Sequence, residues 1–176
     1  MFSPCREKQK RPSIFPDHTA LDNVALAVQA HAGSSFRFWR PARTDPALRE
    51  PARAVLGEVG LGERADVVAA RLAHGEQRQL EIAMALATRP RMVLLDEPMA
   101  GMGREETVRM VELLGRLRGA QTLLLVEHDM DAVFALADRI SVLVYGRVIA
   151  TGTPGAIRAS AEVAQAYLGE DEAQRA

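Results

Sequence analysis

The sequence is poor in lysine, in cysteine and in long apolar runs. Lys8 and Lys10 are the only lysines among the 22 Lys+Arg residues, and Cys5 is the only cysteine. A single cysteine excludes an internal disulfide framework and a cysteine-rich metal site. No apolar run approaches the ~18 residues that a bilayer-spanning helix needs, and the first residues contain no apolar core of a secretory signal. We therefore expect a cytoplasmic protein.

Positive and negative charges nearly balance. The formal net charge is −1, which gives no electrostatic argument for a nucleic-acid partner. Apolar residues make up 48% and charged residues 26% of the chain, as in ordinary globular proteins. A chain of 176 residues is long enough for one domain, or slightly more, with a substantial core.

The first third of the chain has the periodicity of helices. Residues 1–13 are polar and basic and contain two prolines, so we expect an irregular lead-in there. Apolar side chains recur at helical spacing in residues 19–32, where Thr19 or Asp22 is available as the N-cap. A second helical period begins at Pro46 and is interrupted by two glycines. These segments predict a small helical unit.

A loop with three aromatic side chains lies between these two helices. Its residues Phe36, Phe38 and Trp39 follow a glycine and two serines. Exposed aromatics are typical of interfaces, so they could contact a partner. They could equally pack against the domain's own helices, and the sequence leaves both interpretations open.

Strands and helices alternate in the rest of the chain. The expected segments are a helix entered from residues 72–81, a strand at 91–98, a helix at 105–119, a strand at 121–129, a helix at 131–138 and a strand pair at 139–152. The strands are nearly continuous in apolar residues. This order predicts an α/β fold with a parallel sheet that helices cover on both faces.

Acidic residues follow two of these apolar strands. Asp96 and Glu97 end the first strand, while Glu127, His128 and Asp129 end the second. Ligands of parallel sheets lie at the carboxyl ends of the strands, so we expect these side chains at one rim. Carboxylates beside an apolar core need a compensating cation or hydrogen bonds. Mg²⁺ is the economical cation, because one or two carboxylates, water and substrate phosphates commonly hold it.

Specific roles follow for three of these residues. With Asp96 near the metal, Glu97 is free to orient or deprotonate a water, and His128 can contact a transferring phosphoryl group. The alternative is that the acidic pair caps a helix and that the histidine is an ordinary surface residue. Residues 72–81, LAHGEQRQLE, favour the phosphate interpretation, because they place Gly75 at a helix start whose free N–H groups suit an anion.

The order of these segments resembles the nucleotide-binding subunit of ATP-binding cassette (ABC) transporters. That family has an LSGGQ-like signature, a Walker B strand that ends in Asp-Glu, a D-loop and a switch histidine. The resemblance assigns the following parts of this sequence: Leu72–Gln77 as the signature, with Ala73, His74, Gly75, Glu76 and Gln77 as nucleotide-binding residues; Met92–Asp96 as Walker B; Glu97 as the catalytic glutamate; Met99–Gly103 as the D-loop; and His128 as the switch histidine.

The resemblance also implies a fold, cofactors and partners. The fold is a P-loop NTPase-like (RecA-like) parallel sheet with helices on both faces and a small helical subdomain. The cofactors are ATP and Mg²⁺, which Asp96 holds through water. The partners are a second, identical or different nucleotide-binding subunit and transmembrane permease subunits, at the inner face of the cell membrane. The implied division is a lead-in at 1–13, a helical subdomain at 14–71, the signature helix and core with Walker B and the H-loop at 72–155, and a C-terminal helix and tail at 156–176.

Several segments look like the cytoplasmic ATPases of branched-chain amino acid importers. They are residues 13–30, residues 75–90, residues 124–154 and the tail, residues 157–170. The tail with its AYLGE end is the more specific of these, because many cassettes share the core motifs. The resemblance covers about residues 12–170 and predicts an importer subunit for branched-chain or other amino acids.

The sequence departs from the family in its phosphate loop. The motif G-x-x-x-x-G-K-[ST] supplies amides and a lysine to the phosphates, and neither Lys8 nor Lys10 follows a glycine. The resemblance places that loop upstream of residues 14–15, so it implies that the N-terminal part of the cassette is missing. It places the glutamine of the metal site about where Lys10 stands, which makes Gln9, one position away, the candidate for that role. Ala73 also replaces the usual signature serine.

Three hypotheses remain. The first is an importer ATPase represented by a truncated chain that neither binds ATP tightly nor hydrolyses it alone. The second is a catalytically inactive cassette that binds a membrane subunit or a complete cassette. The third is the ATPase head of a DNA-repair protein, which would need a long coiled-coil insertion and preferably a basic face; the sequence has neither.

Overall fold

The computed structural model describes residues 14–32 and 44–166. Its helices and strands are, in order, α1 Ala20–Ala32, α2 Pro46–Glu58, α3 His74–Ala87, β1 Met92–Asp96, α4 Arg104–Leu117, β2 Thr122–Val126, α5 Met130–Leu136, β3 Ile140–Val144, β4 Arg147–Gly152 and α6 Pro154–Arg158. Short 3-10 turns at Gly62–Arg64 and Ala69–Arg71 connect α2 to α3. Residues 161–166 are helical as well.

The helical part comprises α1, α2 and α3, which pack around one apolar core. The Thr19 hydroxyl accepts from the Asp22 N–H at 3.0 Å, so Thr19 is the N-cap of α1, one of the two residues that the sequence offered. Asp45 caps α2 through the Ala47 N–H, and Pro46 occupies the first helical position. The largest fully buried apolar side chains of this part are Leu21, Val24, Leu56, Val59, Leu61 and Leu80.

One polar side chain is fully buried in the helical part. The Asn23 side-chain oxygen accepts from the Phe15 N–H at 2.7 Å. Its amide group donates to the carbonyls of Phe15 and Thr19 at 3.0 and 2.9 Å. Because these bonds satisfy both ends of the amide, Asn23 fixes the entry of the chain into α1 at little desolvation cost.

The parallel sheet contains two strands, β1 and β2, in the described residues. Their register pairs Leu94 with Leu124 and Asp96 with Val126. The inner face packs against the core that the helices form, through Val93, Leu95, Leu123 and Leu125. The outer face consists of Met92, Leu94, Leu124 and Val126, whose exposed fractions run from 51% to 64%. The parallel pairing was predicted correctly, but the described helices cover one face of this sheet.

The third strand differs from the sequence prediction. The expected strand pair is confirmed, since β3 and β4 form an antiparallel hairpin that turns at Tyr145 and Gly146, both with positive φ. Among the described strands, however, β3 pairs with β4 and not with the parallel pair. The hairpin has its own small core, formed by Ile140, Val142, Ile157 and Val163. A tight turn joins neighbouring antiparallel strands without a crossover, so it makes β4 the nearest partner for β3.

Some sequence predictions fall outside the described residues. These are the lead-in at 1–13 with Gln9, the aromatic residues Phe36, Phe38 and Trp39, and the end of the tail at 167–176. Over the residues that the structure does describe, none of the helices is both long enough and apolar enough to span a bilayer.

Candidate functional site

The ends of β1 and β2 bring three of the predicted site residues together. The Glu97 N–H donates to the Val126 carbonyl at 2.9 Å and so extends the parallel pairing by one residue. His128 Nδ1 lies 3.9 Å from Glu97 Oε1. Both side chains are open to solvent, with exposed fractions of 46% for Glu97 and 78% for His128, and Asp96 is exposed beside them. The predicted rim of Asp96, Glu97 and His128 is therefore present.

The other two acidic residues at this rim have different environments. Asp129 accepts from the Ala132 N–H at 3.2 Å and is the N-cap of α5, which is the ordinary capping role. The Glu127 side chain is only 1% exposed. The strand period could have indicated this, because Leu123, Leu125 and Glu127 alternate onto the inner face.

The start of α3 is held by a carboxylate. Glu76 accepts from the Ala73 N–H at 2.9 Å and from Arg64 Nε at 2.9 Å. Burial alone raises the pKa of the Glu76 carboxyl, but the bond from Arg64, the Ala73 N–H and the charge of Arg64 together outweigh it and lower that pKa. Ala73, the N-cap residue, has no side-chain oxygen, so Glu76 is the side chain that satisfies a backbone donor here.

The five predicted nucleotide-binding residues differ in what is left free for a ligand. Gln77 donates through Nε2 to the carbonyls of Ala69 and Leu72, both at 3.2 Å, so its amide supports the turn before α3. Ala73 and His74 are exposed, whereas Gly75 is buried. In this conformation a ligand at the helix start would therefore meet the backbone and His74 before it met the carboxylate or the amide.

Two close approaches join the start of α3 to the loop after β1 and to the first turn of α4. His74 Nε2 lies 3.3 Å from the Ala100 carbonyl oxygen, at hydrogen-bond distance. A Cβ atom on Gly75 would lie 3.0 Å from Glu106 Oε1, and the other oxygen of Glu106 accepts from the Gly103 N–H at 3.1 Å. The predicted signature and D-loop segments are thus neighbours within one chain.

The residues at the rim fit a partial metal shell. Within residues 14–32 and 44–166, no three His, Cys, Asp or Glu side chains come close enough to hold an ion by themselves. The exposed carboxylate of Asp96 suits Mg²⁺, because this ion keeps several waters and shares phosphate oxygens with its substrate. The residues do not fit a complete ATP site, since the sequence contains no G-x-x-x-x-G-K-[ST] loop to wrap the phosphates.

Two family models match the sequence. Residues 6–100 match the model described as ABC transporter. Residues 147–173 match the model described as branched-chain amino acid ATP-binding cassette transporter. The second match begins at β4 and includes the tail that sequence analysis had singled out.

Curated relatives are similar over most of the chain. The high-affinity branched-chain amino acid transport ATP-binding protein BraF of Pseudomonas aeruginosa is 42% identical over 164 residues. The corresponding protein LivG of Escherichia coli K12 is 46% identical over 169 residues. Each match covers 89% of this chain and 64% of the relative, so the chain spans less than two thirds of these relatives' length.

Solved structures share the fold. A crystal structure of the ADP conformation of an ATP-binding cassette of an ABC transporter superposes with a TM-score of 0.71 at 25% identity. The superposition covers 88% of this chain and 64% of that cassette. A nucleotide-free ATP-binding cassette from an ABC transporter gives a TM-score of 0.70 at 24% identity, with 86% of this chain and 63% of the other covered. The α/β, P-loop NTPase-like fold class predicted from the sequence is confirmed.

Proposed function

The chain belongs to the ABC transporter family, and we propose that it serves as part of the ATP-binding subunit of an importer for branched-chain amino acids. The substrate class rests on the match of residues 147–173 and on the named activities of the BraF and LivG relatives. The transport cycle would be driven by hydrolysis of Mg-ATP at an interface between two nucleotide-binding subunits. Transmembrane permease subunits would hold the protein at the inner face of the cell membrane.

The observation that carries the chemistry is the shared rim of β1 and β2. Glu97 Oε1 and His128 Nδ1 lie 3.9 Å apart there, beside the exposed carboxylate of Asp96. In the proposed site, Asp96 holds Mg²⁺ through a water, Glu97 polarises the attacking water, and His128 stabilises the γ-phosphate. Mg²⁺ supplies neutralisation of the phosphate charge when it is bound.

The start of α3 has a separate proposed role. Residues Ala73 to Gln77 would face ATP that a second nucleotide-binding subunit holds, with the helix dipole and free N–H groups directed at its phosphates. Glu76 and Gln77 contribute by shaping the turn, because their side chains already bond Arg64, Ala69 and the backbone beside them. The division at residues 14–71, 72–155 and 156–176 remains part of the proposal.

A chimera tests the proposal in a complete transporter. Residues 14–166 replace the matching region of Escherichia coli LivG, and leucine uptake is measured in a strain without its own LivG. We expect uptake to return with the chimera and to fall ~10²-fold or more with Glu97→Gln, because general-base steps contribute on that order. Glu105→Gln, at a 90% exposed carboxylate, is the matched control and should leave uptake unchanged. Uptake that survives Glu97→Gln would contradict the assignment.

The second candidate function is a cassette that binds partners without turnover. In it, the residues of this chain would bind a membrane subunit or a complete cassette. We expect the 176-residue chain alone to hydrolyse ATP no faster than its Glu97→Gln variant. Turnover by the chain above that control would exclude the inactive alternative and would show that ATP is held without the motif.

A further inference from the structure

Glu127 is a buried acid that the proposed chemistry does not use. Its side chain is 1% exposed, against 46% for Glu97 and 78% for His128 at the same rim. A buried carboxylate is unfavourable unless hydrogen bonds or a cation compensate it. A carboxylate is the suitable side chain at this position if two backbone N–H groups need acceptor oxygens there.

Both oxygens of Glu127 accept backbone hydrogen bonds. Oε1 accepts from the Met99 N–H at 3.1 Å, across 28 residues of sequence. Oε2 accepts from the His128 N–H at 3.1 Å. The Glu127 carboxylate thus joins the turn after β1, at Met99, to the backbone of His128.

The Met99 amide depends on this bond. Met99 lies in the turn that the Ala100 N–H closes by donating to the Glu97 carbonyl at 3.1 Å, with Pro98 at its second position. Met99 is only 6% exposed. A buried backbone N–H without a partner is destabilising, and Glu127 is the acceptor that this structure gives it.

Glu97 has a backbone conformation that needs support. Its φ is +46°, in the left-handed region that residues with a Cβ rarely adopt. Such a conformation persists only where surrounding contacts fix it. Here the Glu97 N–H is fixed by the Val126 carbonyl at 2.9 Å, and the other side of Pro98 is fixed by Glu127 through Met99.

We propose that Glu127 is a positioning residue that holds the turn of Glu97 in its left-handed conformation and fixes it relative to His128. The catalytic meaning of this fixed geometry rests on the proposed function, in which Glu97 and His128 act on the same phosphoryl group. The geometric statement concerns this chain alone and is testable without nucleotide. In this proposal Glu127 acts through the backbone of Met99 and His128, and its Oε2 also lies 3.9 Å from His128 Nδ1.

Glu127→Gln is the sharpest variant, because it keeps the shape of the side chain and replaces one acceptor oxygen by an NH₂ donor. The amide can serve only one of the two N–H groups. Glu105→Gln makes the same chemical change at a 90% exposed carboxylate and is the matched control. Hydrogen exchange at Leu80 and Leu113, which are fully buried, reports whether each variant remains folded.

The measurement is nuclear magnetic resonance on the full 176-residue chain. We expect exchange of the Met99 or His128 amide to accelerate at least tenfold in Glu127→Gln, and the short amide-to-Hα distance of a positive φ to be lost at Glu97. Glu105→Gln should keep both the slow amide exchange and the short distance of the unsubstituted chain. An unchanged Glu97 conformation in Glu127→Gln would overturn the proposal, even with faster exchange, because a merely structural bond would then be lost without effect on the catalytic turn.

Unfolding of Glu127→Gln would leave a second test on the unsubstituted chain. A scalar coupling through the hydrogen bond, between the Met99 nitrogen and the Glu127 carboxyl carbon, should be observable together with the positive φ at Glu97. Absence of that coupling would overturn the proposal. A LivG chimera that fails to transport leucine would instead count against the proposed function, and it would not alter either of these measurements.

Discussion

The helical part and the parallel strand pair bury their apolar side chains to very different extents. Leu21, Leu56 and Leu80, one from each helix, are all fully buried. Leu94 and Leu124, paired across β1 and β2, are 64% and 52% exposed. The two strands are nearly continuous in apolar residues, whereas α2 and α3 carry several charged side chains, so the more apolar region is the more exposed one.

The difference lies in what each region provides for itself. Helices α1, α2 and α3 turn their apolar stripes toward each other, and the buried Asn23 has partners for its oxygen and its amide group. A parallel strand has two apolar faces and needs cover on both, because successive side chains point to opposite sides. Within the described residues the strand pair has cover on one. The helical part therefore buries its apolar stripes in the shared core, whereas the strand pair leaves one apolar face to solvent.

Truncation of a buried leucine should have the largest effect on this comparison. Leu80→Ala removes a fully buried side chain and should lower the free energy of unfolding by ~2–5 kcal/mol. Leu124→Ala is the same change at a half-exposed site and should cost about 1 kcal/mol or less. Urea denaturation of both variants measures the difference. Equal losses would mean that the outer face of the sheet is covered in solution.

The next largest loss of stability should come from removing a buried polar side chain, compared with an exposed one. Asn23→Ala removes the acceptor for the Phe15 N–H and the donor for two carbonyls, and it should cost ~1–3 kcal/mol. Thr151→Val removes the exposed bond between the Ser141 and Thr151 hydroxyls at 2.9 Å, and it should cost no more than ~0.5 kcal/mol. Thermal unfolding tests both. If Asn23→Ala were as mild as Thr151→Val, water would be replacing the amide.

Substitutions on the outer face should change association more than stability. The double variant Leu94→Thr with Leu124→Thr places hydroxyls on the exposed face, so we expect weaker self-association and a stability within about 1 kcal/mol of the original. Light scattering and urea denaturation provide the two readouts. Leu95→Thr, on the inner face of the same strand, is the control and should destabilise the fold. A double variant that unfolded would show that the outer face supports the structure.

The smallest expected effect concerns the ion pair between Arg64, in the turns that follow α2, and Glu76, in the first turn of α3. Because the pKa of Glu76 is lowered in the folded state, its ionised form contributes stability above its ordinary value of 4.5, and this contribution disappears as the pH falls through the lowered pKa. Arg64→Ala should raise the pKa of Glu76 and lower the melting temperature slightly at neutral pH. The difference in melting temperature should vanish in acid.

The control for this prediction is a second ion pair of the helical part. Arg53→Ala removes a pair with Asp66 that is longer, at 3.6 Å, and more exposed. It should leave the pKa of Glu76 unchanged when the carboxyl is titrated by nuclear magnetic resonance. A melting-temperature difference for Arg64→Ala that persisted in acid would assign the effect of Arg64 to packing instead of charge.

Periodicity was sufficient to predict the helices and strands in their order along the chain. Apolar spacing predicted α1 with Thr19 or Asp22 as its N-cap, of which the structure has Thr19, and it predicted the strand pair at 139–152. The pairing of β3 could not be predicted in the same way, since a short apolar strand reads alike in a parallel and an antiparallel sheet. The outcome was decided by turn geometry, which brings β4 next to β3.

The positions of the candidate site residues could be predicted from the sequence, but the hydrogen bonds that hold them in place could not. The sequence predicted Asp96, Glu97 and His128 at the carboxyl ends of β1 and β2, and in the structure β1 ends at Asp96 while Glu97 and His128 lie 3.9 Å apart. The burial of Glu127 and the bond from Met99 depend on a contact across 28 residues, which no local pattern specifies. Asp129 caps α5 through the Ala132 N–H, a role that the sequence analysis proposed as an alternative only for the acidic pair Asp96 and Glu97.

The close approach of Gly75 and Glu106 has a consequence for sequence variation. A methyl group at position 75 would lie 3.0 Å from a carboxylate that is itself held by the Gly103 N–H. Glu106 would have to shift by a few tenths of an ångström, and that shift would strain its bond from the N–H of Gly103, the N-cap residue of α4. The residues at positions 75 and 106 should therefore covary among relatives. Where a larger residue replaces the glycine, we expect a shorter side chain in place of the glutamate, although the two positions are 31 residues apart in sequence.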